Sequence, residues 1–250
     1  MTHSLMLGIM QPYFFPYLGH FALIAATDQW IVFDVAQYTP KTWINRNRIL
    51  HPKKGWQYVT MPLSNSSISI KIHEAQILDL LKAKANIVGK LSHYKNRAPY
   101  FTNVNALVHQ LFDLSTDNSL ARFNIRGLDA VCQYLGIPFN HRIFSELNLP
   151  LPEKLKPGDW ALEICSLLGA TGYLNPVSGR SLFDPEAFAR RGISLHFAAT
   201  SQFVYPVKPF QFEPSLSILD VLMWNSPSVV AEAVRGMTHI TRASNISPHP

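Results

Sequence analysis

A histidine stands where a helix is expected to begin, directly after a glycine. The apolar run from Leu5 to Met10 is typical of a buried strand, and the prolines of the following turn preclude a helix before Gly19 and His20. Backbone N–H groups at a helix N-terminus bind phosphate, and a histidine there can donate to a phosphate oxygen. We therefore predict that Gly19 and His20 bind a phosphate group. The alternative is a histidine that only packs at the helix start.

A second set of cationic and polar side chains lies on a predicted β-hairpin at residues 41–63. Arg46 and Arg48 alternate along one strand, so both point to one face, where two guanidinium groups could bind a phosphate or a carboxylate. The alternative is a solvated edge strand whose charges prevent pairing with another chain. Neighbouring residues that we assign to the same ligand site are Gln37, Lys41, Trp43 and Asn45.

Another loop with phosphate-binding chemistry follows the strand predicted at residues 172–174. Ser178, Gly179 and Arg180 offer backbone N–H groups, a hydroxyl and a guanidinium. Asn175 lies at the start of this loop and joins the candidate set. An ordinary surface turn is the alternative interpretation.

Two carboxylates follow predicted strands and are the candidates for proton transfer. Asp34 ends the apolar run at residues 30–33, and Glu146 belongs to the polar pair into which the strand character of residues 138–147 leads. A carboxylate at such a position can act as a general base. The predicted site is completed by aromatic side chains that could stack on a base or sugar, and by a glutamine beside them: Tyr13, Phe14, Tyr17, Trp43 and Gln11.

Strands that alternate with helices position these groups and indicate an α/β fold. We expect a Rossmann-like, mainly parallel sheet flanked by helices, with the hairpin inserted at about 41–63 and a helical layer at about 74–135. Residues 1–243 are expected to form one domain, and residues 244–250 a loose tail. The alternation within residues 64–70 favours an additional strand. In such sheets the ligand crevice lies at the carboxyl ends of the strands, where the candidate loops fall.

Composition narrows the classes of function. The 250 residues carry 22 Lys and Arg against 16 Asp and Glu, and this net charge of +6 favours an anionic ligand such as a nucleotide, a nucleotide sugar or RNA. A basic surface without a ligand is the alternative. Two cysteines and scattered histidines argue against a metal site. We find no apolar run long enough for a membrane span and no signal peptide, and expect a cytoplasmic protein.

Several stretches together resemble the signature blocks of the WbqC-like family. They read QPYFFPYLGHFALI, the strand with Asp34 and Gln37-Tyr38, TWINRNRI, TGYLNPVSGRSLFDPEAF and FEPSLSILDVLM, and they cover nearly the whole chain. Family members occur in bacterial O-antigen and other polysaccharide gene clusters. The resemblance implies a transferase of surface-polysaccharide biosynthesis that moves an aminoacyl (glycine) or other acyl group to the amine of a nucleotide-linked amino sugar. An aminoacyl donor could require tRNA.

The order Tyr17-Leu18-Gly19-His20 after a strand also resembles the HIGH-type motif of class I nucleotidyltransferases. In that superfamily, paired histidines and a later basic loop stabilise charge while the α-phosphate of ATP is attacked. Tyr17 stands in place of the first histidine, which argues against full nucleotidyl transfer but is compatible with nucleotide binding. Two alternative functions stay open: an ATP- and Mg²⁺-dependent nucleotidyl- or adenylate-forming enzyme, and a non-catalytic protein that binds a nucleotide or nucleotide sugar.

Overall fold

The computed structural model of this protein describes residues 4–243. These residues form eight strands and eight α-helices, joined by loops and short 3₁₀ helices. The strands are β1 (Met6–Met10), β2 (Gln29–Val32), β3 (Arg46–Leu50), β4 (Trp56–Thr60), β5 (His141–Ile143), β6 (Gly172–Pro176), β7 (Ser194–Thr200) and β8 (Thr238–Arg242). The helices are α1 (Leu18–Ala25), α2 (Leu80–Leu91), α3 (Phe101–Asp113), α4 (Leu120–Leu135), α5 (Asp159–Leu167), α6 (Pro185–Arg190), α7 (Ile218–Trp224) and α8 (Pro227–Gly236).

Six strands form one sheet in the order β5-β2-β1-β6-β7-β8. All neighbours pair in parallel except β7 and β8, which are antiparallel. The predicted α/β fold with a mainly parallel sheet and a separate hairpin is therefore confirmed. The strand order reverses between β1 and β6, and ligands of such sheets bind outside the carboxyl ends of the strands near this point.

Both faces of the sheet are covered by hydrophobic cores. The larger core contains side chains of α1 to α4, α7 and α8, and the smaller core contains those of α5 and α6. Side chains alternate along β1, so Leu7 and Ile9 face the smaller core while Gly8 faces the larger one. A Cβ atom at Gly8 would lie 2.6 Å from Cε3 of Trp30. The glycine thus makes room for this indole against the sheet.

Strands β3 and β4 form the separate antiparallel hairpin, in which Arg48 pairs with Tyr58. Alternation along β3 buries Asn47 and leaves Arg46 and Arg48 half-buried on the other face. The arginines therefore share a face, as the sequence indicates.

Helices α2, α3 and α4 lie within the region predicted as a helical layer. The carboxylate of Asp79 accepts a hydrogen bond from the backbone N–H of Lys82 at 2.9 Å, so α2 begins after this residue. Ser119 caps α4 in the same way, and Gly136 ends it with a φ of +62°. Helix α2 packs against β4 and connects this layer to the hairpin.

Some predicted strands need correction. Residues 64–70 form no strand, because their hydrogen bonds go to separate loops: Tyr38 N–H donates to the Ile70 carbonyl, and Ser64 N–H to the Gln76 carbonyl. The strand expected over residues 138–147 is limited to β5, after which the chain enters a 3₁₀ helix. Strand β8 was not predicted, since its residues are largely exposed at the sheet edge.

The predicted tail at residues 244–250 lies outside the described residues. Among the helices that the structure describes, none combines the length and apolar character needed to cross a membrane. Residues 4–243 also contain no cluster of three or more His, Cys, Asp or Glu side chains that could hold a metal ion.

A buried carboxylate connects helix α7 to the hairpin. Asp220 is fully buried and accepts hydrogen bonds from the hydroxyl of Tyr94, from the hydroxyl of Tyr205 at 2.9 Å and from the backbone N–H of Leu50 at 3.1 Å. Burial raises the pKa of this carboxyl, and burial beside the carboxyl also raises the pKa of both tyrosines. One side chain therefore holds the end of β3, the residues after α2 and the loop after β7 against α7.

Candidate functional site

A cleft with aromatic walls lies between the β1–α1 loop and the hairpin. Its volume is about 290 Å³. We name it the aromatic cleft, and its lining residues are Tyr13, Pro16, Tyr17, Trp43, Asn47, Arg48 and Ser215. Tyr17 and Trp43 are 38% and 41% exposed, so their rings can stack on a ligand that enters from solvent. The structure thus brings together four predicted site residues, namely Tyr13, Tyr17, Trp43 and Arg48.

Stacking holds Arg48 in the wall of this cleft. Its guanidinium carbon lies 5.4 Å from the ring centre of Trp43 and 5.1 Å from that of Trp56, distances typical of cation–π contacts. One terminal nitrogen donates to the carbonyl oxygen of Ser215 at 3.3 Å. Within residues 4–243, Arg48 takes part in no salt bridge. The guanidinium is therefore oriented without a carboxylate partner, as a receptor for an anion requires.

The buried side chain of Asn47 fixes the loop that forms the opposite wall. Its Nδ2 donates to the carbonyl oxygens of Phe14 at 3.1 Å and Phe15 at 2.8 Å. The N–H of Phe14 donates in turn to the carbonyl of Trp43 at 2.8 Å. Phe15 has a φ of +39°, which is rare for a residue other than glycine, so these bonds hold a strained turn in place.

A second cleft, of about 380 Å³, lies at the carboxyl end of β7 and shares Tyr17 and Ser215 with the aromatic cleft. We name it the carboxyl-edge cleft. Its polar lining includes Thr200 and Ser201, which end β7 and follow it, and the half-buried carboxylate of Glu213. Because the clefts share two lining residues, they can receive two parts of one ligand.

Gly19 leaves room for the Tyr17 ring, which lines both clefts. A Cβ atom at this position would lie 2.4 Å from Cε2 of Tyr17 and 3.1 Å from Oγ1 of Thr200. The Tyr17 ring therefore folds over the first turn of α1, next to the end of β7. It covers the backbone position at which the sequence predicts a phosphate contact.

Replacement of Gly19 by alanine is expected to displace the Tyr17 ring without unfolding the protein. The new Cβ overlaps only the far end of a flexible side chain, and alanine favours helix by up to about 1 kcal/mol over glycine. A crystal structure of Gly19→Ala and a urea unfolding curve test this. Gly89→Ala in α2 is the matched control, because nothing lies within 4 Å of its Cβ position. A Tyr17 ring that stays in place in Gly19→Ala would contradict the prediction.

Comparison with known proteins decides the family. The model of the WbqC-like protein family matches residues 11–232, which is most of the chain. The chain belongs to this family. An uncharacterized protein of Mycobacterium tuberculosis, Rv1507c, is 30% identical to it over 217 residues, which cover 86% of this chain and 91% of the relative. No solved structure matches the chain.

His20 of this WbqC-like protein lies behind the aromatic cleft. It is 1% exposed, and its ring centre lies 5.5 Å from that of Tyr13 and 5.2 Å from that of Trp30. Burial lowers its pKa from 6.5 to about 3, so the imidazole is neutral near neutral pH, and Nε2 has no hydrogen-bond partner among the described residues. His20 therefore supports Tyr13 from behind. Its predicted contact with phosphate stays a prediction, because the residue lines neither cleft.

The two predicted proton acceptors are engaged elsewhere in this WbqC-like protein. The buried carboxylate of Asp34 accepts hydrogen bonds from the backbone N–H of Ser145 at 3.0 Å and from its hydroxyl at 2.6 Å, which joins the ends of β2 and β5. Glu146 is exposed and forms a salt bridge with Arg122 at 3.0 Å. Neither carboxylate lines the aromatic or the carboxyl-edge cleft.

The predicted loop after β6 is also separate from the two clefts. The Asn175 side chain is buried and accepts a hydrogen bond from the hydroxyl of Tyr173 at 2.9 Å. It therefore lies on the face of the sheet opposite α1, because Tyr173 belongs to the smaller core. Gly179 packs against Asn175, and Ser178 and Arg180 lie in the 3₁₀ helix that follows β6. The structure does not bring this loop to the lining of either cleft.

The remaining predicted residues surround the hairpin. Arg46 stacks on the Tyr58 ring at 4.0 Å and does not line the aromatic cleft. Asn45 is buried and donates to the carbonyl of Met61 at 3.1 Å. Gln11 is half-buried after β1, Gln37 is exposed with its amide donating to the Ile68 carbonyl at 2.6 Å, and Lys41 is exposed with a φ of +61°. All three lie outside both clefts. The prediction that Phe14 stacks on a ligand is wrong, because this side chain is fully buried in the larger core.

Several residues at the clefts were not predicted as site residues. Thr200 ends β7 and Ser201 follows it, so the strand-end rule that selected the loops after β1 and β6 could have found them. Trp56 faces Arg48 across the hairpin, which strand alternation could have indicated. Glu213 and Ser215 come from a loop without regular structure, and only the tertiary fold brings them to the clefts.

Proposed function

We propose that this WbqC-like protein is a transferase of bacterial surface-polysaccharide biosynthesis whose substrate is a nucleotide-linked amino sugar. The base stacks in the aromatic cleft, a phosphate group binds Arg48, and the amino sugar extends into the carboxyl-edge cleft. The reaction is transfer of an aminoacyl or other acyl group to the sugar amine. This is the activity that the family resemblance implies.

The observation that carries the proposal is the position of Arg48 between Trp43 and Trp56 at an aromatic cleft. A nucleotide combines a flat aromatic base with a phosphate anion, and these two features match stacked rings and an unpaired guanidinium. The volumes of the clefts, about 290 and 380 Å³, lie at the lower limit of those of small-molecule sites. Arginine is suited to this role because its planar guanidinium binds phosphate and stacks on rings at the same time.

Glu213 is the carboxylate that fits the amine of this substrate. It lines the carboxyl-edge cleft, and within residues 4–243 it forms no salt bridge. A carboxylate there can bind an ammonium group, and it can accept a proton as the amine attacks a carbonyl carbon. We therefore assign to Glu213 the role for which the sequence suggested Asp34 and Glu146.

Replacement of Arg48 by alanine is expected to weaken binding of a nucleotide-linked amino sugar by about 10- to 100-fold, since a charge-assisted hydrogen bond contributes about 1.5–3 kcal/mol. Titration calorimetry with uridine and deoxythymidine diphosphate amino sugars measures this loss. Arg46→Ala is the matched comparison, because it removes the same charge from the same strand face but outside the cleft. Equal losses in the two variants would show that only the net charge matters, and would contradict the proposed site.

Turnover separates the proposed transferase from the two alternatives. Mass spectrometry of the sugar product, after incubation with an activated acyl donor, is expected to show one acyl group on the sugar nitrogen. Release of pyrophosphate from ATP would instead support a nucleotidyl- or adenylate-forming enzyme. Tight binding of the nucleotide sugar without product would support a non-catalytic binding protein.

A further inference from the structure

A serine and a histidine make a close contact at the carboxyl-edge cleft. The Oγ atom of Ser201 lies 2.8 Å from Nε2 of His239. This distance is within the range that couples a nucleophile to its general base. With the proton on Nδ1, the imidazole Nε2 accepts the hydrogen bond of the serine hydroxyl. Both residues are exposed, so the hydroxyl is accessible to a reagent from solvent.

The fold places this pair where α/β sheets carry their sites. Ser201 directly follows β7 and lines the carboxyl-edge cleft, and His239 lies on β8 opposite Ala199. Gly19, in the first turn of α1, lines the same cleft. The positive end of the helix dipole therefore lies near the serine, where negative charge develops on a carbonyl oxygen under attack. Glu213 lines this cleft as well, which places the proposed amine site and the serine in one space.

We infer that Ser201 and His239 form a nucleophile–base pair that carries the acyl group as an ester on Ser201 before its transfer. The inference rests on the proposed acyl transfer for the identity of the acceptor, but formation of the acyl-serine needs only the donor. The donor class is an activated acyl ester or thioester. His239 lies beyond the residues that the family model matches, so the pair is inferred for this chain alone.

The two half-reactions balance with a thioester donor. In the first, Ser201 Oγ forms a bond to the carbonyl carbon, the carbon–sulfur bond breaks, and the hydroxyl proton passes through His239 Nε2 to the leaving thiolate. In the second, the amine nitrogen forms a bond to the same carbon and the bond to Oγ breaks. Glu213 takes the first proton, which converts the ammonium to the neutral amine, and passes it to solvent. The second proton, released when the nitrogen–carbon bond forms, passes through His239 to Ser201 Oγ. The products are a thiol and an amide, and the enzyme is regenerated.

Acylation of the protein in the absence of acceptor tests the inference. The full chain is incubated separately with p-nitrophenyl acetate and with acetyl-pantetheine, and intact mass spectrometry is followed by peptide mapping. We expect one acetyl group on Ser201 in the wild type and none in Ser201→Ala. His239→Gln is expected to slow acylation by about 100-fold or more, the effect of a lost general base. Ser228→Ala is the control, because its hydroxyl is hydrogen-bonded to Ser226 rather than to a histidine.

A structural role for the pair predicts a different result. If the contact only joined β7 to β8, both variants would lose stability in urea while the wild type would remain unacylated. Absence of acetyl-Ser201 with both reagents, or acetylation that persists in Ser201→Ala, overturns the inference. Calorimetry of the nucleotide-linked amino sugar with the wild type is measured in parallel. If the sugar binds but no acyl-serine forms, the nucleophile–base pair is rejected and the proposed substrate is retained. If the acyl-serine forms but the sugar does not bind, only the proposed substrate is rejected.

Discussion

Replacement of Asp220 by alanine is expected to lower the free energy of unfolding by about 3–5 kcal/mol, because each buried donor left without a partner costs about 1–3 kcal/mol. The hydroxyls of Tyr94 and Tyr205 would lose their acceptor, and the N–H of Leu50 would keep only its bond to the Tyr94 hydroxyl at 3.0 Å. For a protein of this size the loss corresponds to a fall in melting temperature of roughly 10 °C. Urea unfolding and differential scanning calorimetry measure both quantities.

Two variants separate this effect from loss of charge. Asp220→Asn keeps one acceptor oxygen and most of the volume, so it is expected to cost less than Asp220→Ala. Glu186→Ala removes an exposed carboxylate and is expected to change stability by less than about 0.5 kcal/mol. Near-equal stability of Asp220→Ala and the wild type would show that the buried network contributes little. Because Tyr205 also lines the carboxyl-edge cleft, we expect the same variant to alter that cleft.

Acid is expected to destabilise the protein through His20. Its pKa is 6.5 in the unfolded chain and about 3 in the fold. Between these values the unfolded chain binds the proton and the fold does not, so stability falls as the pH falls from 6.5 toward 3. The loss is about 1.4 kcal/mol per pH unit below 6.5, or about 2 kcal/mol at pH 5. Urea unfolding curves at a series of pH values measure how steeply the free energy of unfolding changes with pH.

The variant His20→Leu tests whether this residue is the cause. Leucine fills the space between Tyr13 and Trp30 and does not titrate, so we expect the variant to lose less stability than the wild type between pH 7 and pH 4. His109→Gln, at a partly exposed site on α3, is the control for replacement of a histidine. An unchanged slope in His20→Leu would show that the buried histidine is not the titrating group. The Asp220 carboxyl acts in the opposite direction, because its raised pKa makes the fold bind a proton more tightly than the unfolded chain.

Local patterns predicted the main elements of the fold. The apolar run of β1, the helix signal after Gly19 and the alternation of Arg46 and Arg48 depend on neighbouring residues, and all three are present in the structure. Strand β8 was not predicted because an edge strand with exposed side chains has few buried apolar residues by which a strand can be recognised. Residues 64–70 show the reverse error, since alternation without a partner strand does not form a sheet.

The aromatic half of the site could be predicted for the same reason. Tyr13 and Tyr17 are four residues apart in one loop, and Trp43 and Arg48 belong to one hairpin, so short-range sequence placed them in two compact groups. The sequence does not indicate which other residues face these two groups. Strand alternation determines on which face of β3 the Arg48 side chain lies. Its position between Trp43 and Trp56 depends in addition on the pairing of β3 with β4.

The sequence by itself therefore determined the α/β class, the hairpin and the residue types of the proposed anion-binding site. The tertiary structure alone decided which candidates share a cleft. His20 became buried because α1 packs this side of the helix on Trp30, and Asn175 turned to the other face of the sheet by strand alternation. His239 lies beside Ser201 because β7 pairs with β8, and Glu213 reaches the carboxyl-edge cleft from a loop without regular structure. Such contacts depend on the whole fold, and no local pattern encodes them.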